Sequence, residues 1–301
     1  MSLKPRGDIV GNQDFISNLH KGFNFPLDIL REYIEKNTSI KVSDFVKITD
    51  GYDSEVYDIG LFMVKIRQDG DVPYACIRWV VDKCKEQNVK TVNIIHYGKI
   101  LDKDIMIEEK IHGQPLPSNL YEEAGAELKK IHNIKVDGFW RMHENGKFDF
   151  DNYKDVAGSF TRDRMDEMPL ICAGGVFSHD HIEHMKNVLY EAEKLDVSAV
   201  LCHGDYAPRH ILCGEHINGI IDYGNFHGGS RYVDLTYFSL NSEEKYFDKF
   251  IKGYGEIDEN ELRLNKIMLL MGYLAHSRKI GDEEDAKKLE RKLLRIFTTM
   301  R

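Results

Sequence analysis

Between Leu201 and Cys213 the chain reads Leu-Cys-His-Gly-Asp-Tyr-Ala-Pro-Arg-His-Ile-Leu-Cys, and from Gly219 to Asn225 it reads Gly-Ile-Ile-Asp-Tyr-Gly-Asn. Asp205 and Asp222 are 17 residues apart, with His203 just before the first and His210 five residues after it. The apolar runs Ala199 to Cys202 and Ile217 to Ile221 read as short strands. Each aspartate therefore falls at the mouth of a strand. Two carboxylates so placed suit phosphoryl transfer: one orients an attacking hydroxyl and accepts its proton, the other holds magnesium on nucleotide phosphates. Aspartate also caps turns after strands, but that reading needs two unrelated caps at this spacing.

The elements around this segment change character along the chain. Pro26 to Asn37 has apolar residues at helical spacing. Val42 to Ile48, Glu55 to Ile59 and Leu61 to Ile66 read as strands, the first two joined by the turn-rich Thr49 to Ser54. Tyr74 to Glu86 reads as a helix after Pro73. Strands follow at Val92 to Tyr97 and at Asp104 to Ile111, the latter expected at the sheet edge. His112-Gly-Gln-Pro-Leu-Pro117 breaks the pattern and marks a lobe boundary. Beyond it, Tyr121 to His132, Ser178 to Leu195, Glu259 to Arg278 and Asp282 to Thr298 carry helical periodicity. Val136 to Phe177 reads as irregular and rich in acids and aromatics.

Bulk composition narrows the class. Of 301 residues, 42% are hydrophobic and 30% charged, which fits a globular enzyme with a real core and excludes a disordered chain. No apolar run approaches the roughly 20 residues that span a bilayer, and the start carries no apolar segment of a secretory signal. The formal charge is −9 and no basic stripe appears, so nucleic acid is not an expected partner. The acidic balance suits a cationic substrate. The five cysteines lack C-x-x-C spacing, as expected of free thiols in a reducing, cytoplasmic setting.

His203-Gly-Asp205, Ile221-Asp222-Tyr223-Gly224, Asp234-Leu-Thr-Tyr and Gly125-Ala-Glu-Leu-Lys-Lys-Ile-His132 occur in the order of the aminoglycoside phosphotransferase and choline kinase superfamily, relatives of the protein kinases, and the chain resembles that superfamily from about residue 40 to 240. The resemblance implies a two-lobed, protein-kinase-like α+β fold. Its small lobe holds a five-stranded antiparallel sheet plus a helix, and its larger lobe is mainly helical. Residues 1–112 would form the N-terminal nucleotide-binding lobe with a helical extension, and 113–301 the C-terminal catalytic and acceptor-binding lobe.

By the same resemblance Asp205 is the catalytic base, Asp222 the metal-binding carboxylate, and Asp234 a structural group holding the catalytic loop, with His203 packed beneath. Lys65 contacts the phosphates of ATP or GTP, and the turn at Asp50 to Ser54 covers them. Glu109 and Ile111 supply backbone groups to the purine. His210 replaces the family's Asn. It could ligate Mg²⁺ or, better suited to nitrogen, Mn²⁺, reach the metal through water, contact phosphate, or only bond to backbone. The family's helix glutamate, partner of the lysine, is missing near Cys76 and Ile77, which leaves Lys65 without an assigned partner.

The expected reaction moves a γ-phosphoryl group to a hydroxyl of a small molecule, with an aminoglycoside as the leading acceptor. A polycation of that kind would be met by Asp149, Asp151, Asp155, Asp163, Asp166 and Glu167, with Glu256, Asp258, Glu259 and Glu261. An amino alcohol or sugar kinase, or a nucleotide-binding pseudokinase with a regulatory partner, are the alternatives. His181 and His184 share a helix face, but a solvated helix start accounts for them better than a metal site.

Overall fold

The computed structural model describes residues 22, 24–49, 54–67 and 72–298. Asp50 to Asp53, expected over the phosphates, and Asp69 and Asp71 lie outside them. Elements are numbered in chain order among the described residues. Helix α1 (Leu27–Asn37) is followed by β1 (Val46–Ile48), β2 (Ser54–Asp58) and β3 (Phe62–Arg67). Next come helix α2 (Tyr74–Glu86), β4 (Ile94–Ile100) and β5 (Lys103–Glu109). The five strands form one antiparallel sheet in the order β1-β2-β3-β5-β4.

Side chains alternate across this sheet. Val64, Ile66, Ile105 and Ile107 point to one face and bury Leu30 and Ile34 of α1. Lys65, Met106 and Glu108 take the other face. There Met106 joins Ile77, Val80 and Val81 of α2 in the central core. The apolar face of the sheet thus fixes the register that turns Lys65 toward the second lobe. The expected edge strand is an interior one: β5 lies between β3 and β4, and β4 is the outer strand.

Past β5 the chain becomes mainly helical. A two-residue strand β6 (Gln114–Pro115) precedes α3 (Tyr121–His132). Then come β7 (Phe139–Met142), β8 (Phe148–Phe150), α4 (Tyr153–Asp166), α5 (Met168–Ile171) and α6 (His179–Ala192). The functional segment follows as β9 (Val200–Cys202), β10 (Ile211–Cys213), β11 (Ile217–Ile220) and β12 (His227–Gly229). Helices α7 (Tyr232–Asn241), α8 (Phe247–Tyr254), α9 (Glu259–Ile280) and α10 (Glu283–Thr298) complete the lobe. Strands β11-β10-β6 form one small sheet and β8-β7-β12-β9 another. The His112 to Pro117 segment is therefore more than a break, since β6 pairs with β10.

Helices α3 and α8 cross in contact through two glycines. A Cβ on Gly125 would lie 2.0 Å from the Phe250 carbonyl oxygen, and one on Gly253 1.8 Å from the Glu122 carbonyl oxygen. A separate core joins Met185 and Leu189 of α6, Leu270 and Leu274 of α9, and Leu289 and Leu293 of α10.

The stretch 136–177 corrects the expectation of an irregular segment. It folds into the β7–β8 hairpin and two helices. The Asn152 side chain starts α4 by accepting from the Asp155 amide at 3.0 Å. No described helix is long and apolar enough to cross a membrane. The cysteines Cys76, Cys84, Cys202 and Cys213 are buried and free, and Cys172 is free and half-buried.

Candidate active site

Strand β9 is fully buried and ends at Cys202, one residue before His203. The loop that follows is hung from Asp234 in α7, which is wholly buried. Its carboxylate accepts the His203 amide at 2.7 Å, the Gly204 amide at 2.8 Å and His132 Nε2 at 3.1 Å. His132 Nδ1 in turn accepts the Tyr254 hydroxyl at 2.8 Å, which ties the loop to α3 and α8. His132, Cys202 and Asp234 lie close enough to share a cation. The Asp234 oxygens are already spent on three hydrogen bonds, so this cluster is a structural hub.

Gly204 has φ +80°, and a Cβ there would lie 2.0 Å from the Asn225 carbonyl oxygen. Only glycine lets the two functional loops touch at this point. His203 is buried beneath them. Its Nδ1 accepts the Asp205 amide at 3.2 Å and its Nε2 donates to the Ile221 carbonyl at 3.0 Å. Burial pushes its pKa down to about 4, so the ring is neutral in that arrangement.

Asp205 is 4% exposed. Its Oδ1 accepts from Arg209 at 2.7 Å, and its Oδ2 lies 3.6 Å from His210 Nδ1. Burial drives the carboxyl up to about 6, against the opposing pull of His210, Arg209 and a hydrogen bond from Tyr237. Asp222 differs. It adopts the left-handed conformation (φ 65°, ψ 63°) and leaves its side chain half open to the cleft. Desolvation raises its pKa, but His210, Lys65, His203 and the Gly224 amide outweigh that and hold it at about 2. Two carboxylates of one site thus have opposite proton affinities, which suits them to different roles.

His210 stands between them. Its Nδ1 donates to the Asp205 backbone carbonyl at 2.9 Å. That bond fixes the tautomer and turns Nε2 toward Asp222 Oδ2, 3.7 Å away.

Lys65 approaches from the small lobe. Its Nζ is 2.7 Å from Glu108 Oε1 on β5, and both side chains are largely buried. Register places Lys65 opposite Met106 and Met63 opposite Glu108, so the pair runs diagonally across adjacent strands on one face. Glu108 is thus the partner that the sequence left unassigned. Neither Cys76 nor Ile77 is needed, and Asp82 is engaged by Arg78 at 2.8 Å. Sequence spacing concealed Glu108 because the contact depends on strand register.

Arg67, one pleat beyond Lys65, was also unforeseen. It is buried over the Tyr74 ring, 4.7 Å from its centroid, and its Nη1 has no hydrogen-bond partner. Period-two spacing from Lys65 was the available signal. Glu109 and Ile111 stand at and beyond the end of β5. The Glu109 amide is donated to the Asn93 carbonyl at 2.8 Å. A purine there would have to use other backbone groups. The Ile111 side chain covers Gly219.

A cavity of about 190 Å³ opens beside Gly204, Gly224 and Asn225. It lies between the 136–177 segment and α9, where an acceptor was expected. The carboxylate lining expected for a polycation is not found. Among the described residues no Asp or Glu lines the cavity, and its charged wall residues are Arg141 and Arg164. Asp149 is used by His143 at 2.8 Å and Asp258 caps α9. Glu167 pairs with Arg164 and Lys279. His181 closes a capping box with Ser178 and stacks on Phe297, and His184 packs edge-on to the same ring.

A sequence model of the APH phosphotransferase enzyme family matches residues 98–264, more than half of the chain. The chain belongs to this phosphotransferase family. No curated protein matches it in sequence. Among solved structures, a thermostable mutant of the aminoglycoside phosphotransferase APH(4)-Ia, in ternary complex with ADP and hygromycin B, aligns with TM-score 0.68 and 15% identity over 89% of this chain and 97% of that one. The gentamicin complex of APH(2")-IIa aligns with TM-score 0.61 and 20% identity over 90% and 97%. The GDP complex of aminoglycoside 2'-phosphotransferase-IIIa aligns with TM-score 0.60 and 12% identity over 91% and 98%. These likenesses establish the two-lobed α+β fold of the phosphotransferase.

Proposed function

We propose that this phosphotransferase moves the γ-phosphoryl group of ATP or GTP to a hydroxyl of a small molecule. The observation that carries the reading is the convergence of Asp205, Asp222 and His210 from one lobe with Lys65 from the other. ADP and GDP in the similar structures support a purine nucleotide as donor. Residues 1–112 would hold the nucleotide and 113–301 the reacting hydroxyl.

Asp205 is the base in this reading. The acceptor oxygen bonds to the γ-phosphorus while the bond to the bridging oxygen breaks, and the nucleoside diphosphate leaves with that oxygen. The hydroxyl proton passes to the Asp205 carboxylate. A carboxyl raised to about 6 is a stronger base than an ordinary aspartate and is still ionised at neutral pH. Lys65, steadied by Glu108, and Arg67, with a donor to spare, would bind phosphate oxygens. Backbone of Glu109 and Ile111 would face the purine.

The donor set fits a divalent cation. Asp222 is a permanently ionised oxygen ligand open to the cleft, and His210 Nε2 faces it. Magnesium is satisfied by one or two carboxylates plus phosphates. An imidazole nitrogen shifts preference toward manganese. When bound, the cation would neutralise charge on the transferring phosphoryl group. Pairing of Lys65 removes one argument for a pseudokinase.

Labelled ATP and GTP, offered with Mg²⁺ or Mn²⁺ to the wild type and to Asp205→Asn, test the reading. Metal-dependent nucleotide binding in both, with turnover in the wild type alone, is expected. Equal turnover would remove Asp205 from the base role.

A further inference from the structure

The cavity beside the two functional loops has properties that select its ligand. Its wall is built mainly from apolar and aromatic side chains, including Trp140, Phe160, Val156 and Met268. Trp140 and Phe160 meet edge to face, with centroids 5.1 Å apart. The neutral polar groups on the wall include Thr236 and Tyr237. Thr236 is fully buried and its hydroxyl has no hydrogen-bond partner. Asp205 does not itself line the cavity, but its neighbour Gly204 does, and so does Tyr237, which hydrogen-bonds its carboxylate.

Lining and charge both disfavour a polyamine. A cavity of about 150 Å³ is enough for benzene, and this one is about 190 Å³. One ring with short substituents fits within it. An ammonium group entering would meet Arg141 and Arg164, the latter paired with Glu167 behind the wall, and, among the described residues, no lining carboxylate. The net charge of −9 is therefore a property of the surface and does not reach this wall.

We propose that the acceptor is an uncharged, ring-sized apolar alcohol, its ring held against Trp140 and Phe160 and its hydroxyl directed to Asp205. The proposal rests on the phosphotransfer reading for its chemistry and on the cavity alone for its selectivity. Phosphate would be transferred to the ring's alcohol oxygen as the bond to the nucleoside diphosphate breaks, with the proton going to Asp205.

The chain contains two tryptophans, Trp79 and Trp140. Trp79→Phe leaves Trp140 as a reporter within the cavity. Benzyl alcohol should change its emission saturably, and gentamicin should not. With labelled ATP, benzyl alcohol should accept phosphate at least about tenfold faster than gentamicin, a factor worth 1.4 kcal/mol. Met268→Trp should fill the cavity and abolish the benzyl alcohol response while leaving ATP binding intact. The emission titration on Trp79→Phe decides the matter even if Met268→Trp does not fold. Saturable binding or phosphorylation of gentamicin, with benzyl alcohol silent, would overturn the proposal. Slow ATP hydrolysis by water reports the phosphotransfer reading separately. Benzyl alcohol binding without any nucleotide binding would sink that reading and leave the cavity's selectivity standing.

Discussion

His210 Nε2 faces Asp222 Oδ2 across 3.7 Å, held there because Nδ1 is committed to the Asp205 backbone carbonyl. An asparagine at this position would offer an oxygen instead. His210→Asn should keep or raise Mg²⁺-supported turnover and lower the relative benefit of Mn²⁺. A folded but inactive variant would assign His210 a task that an amide cannot fill. Asp222→Ala should abolish metal-dependent nucleotide binding, read by titration with and without a chelator, because the ionised oxygen is lost.

Replacing Asp205 by Asn should lower phosphoryl transfer by about 10²-fold or more while sparing nucleotide binding. Stability gives an independent check on metal-free protein. The folded carboxyl titrates near 6 against an ordinary value of 3.8. Between these values the native state holds the extra proton, so wild-type stability falls as pH rises through that window. The Asn variant does not titrate. Its stability relative to wild type should therefore rise by on the order of 2 kcal/mol from pH 4 to pH 7. Parallel denaturation profiles across that range would contradict the raised value.

Glu108→Gln should raise the KM for ATP by about tenfold, since a hydrogen bond between charged groups is weakened. Asp82→Asn, in the helix where the family pattern places the lysine's partner, should leave KM unchanged. The opposite ranking would return the partner to the helix.

Asp234→Ala strands two buried amides and the His132 N–H. Each unsatisfied group is costly, so a loss of about 3 kcal/mol or more is expected. A urea midpoint close to wild type would show that the loop is held by something else.

Local signals were legible where local physics decides. Helix α2 spans Tyr74 to Glu86 as expected, because Pro73 and the apolar repeat define it within the segment itself. Asp205, His210 and Asp222 converge because Asp205 follows β9, His210 leads into β10 and Asp222 follows β11, its hairpin partner. What sequence did not reveal depends on long-range geometry. Glu108 reaches Lys65 only through antiparallel register. The β7–β8 hairpin is short, and Trp140 within it has φ 72°, a conformation with no sequence signature in a tryptophan. The acidic composition of 136–177 suggested a charged pocket, yet none of its carboxylates lines the cavity, and Asp149 is taken up by the Arg141 amide and His143, while Trp140, Val156 and Phe160 line it.

In protein kinases the strand lysine is paired by a glutamate on a helix, and moving that helix turns activity on and off. Here Lys65 finds Glu108 within its own sheet. The pair depends on the register of β3 and β5 and uses no residue of α2. A swing of that helix would therefore leave the Lys65–Glu108 pair intact.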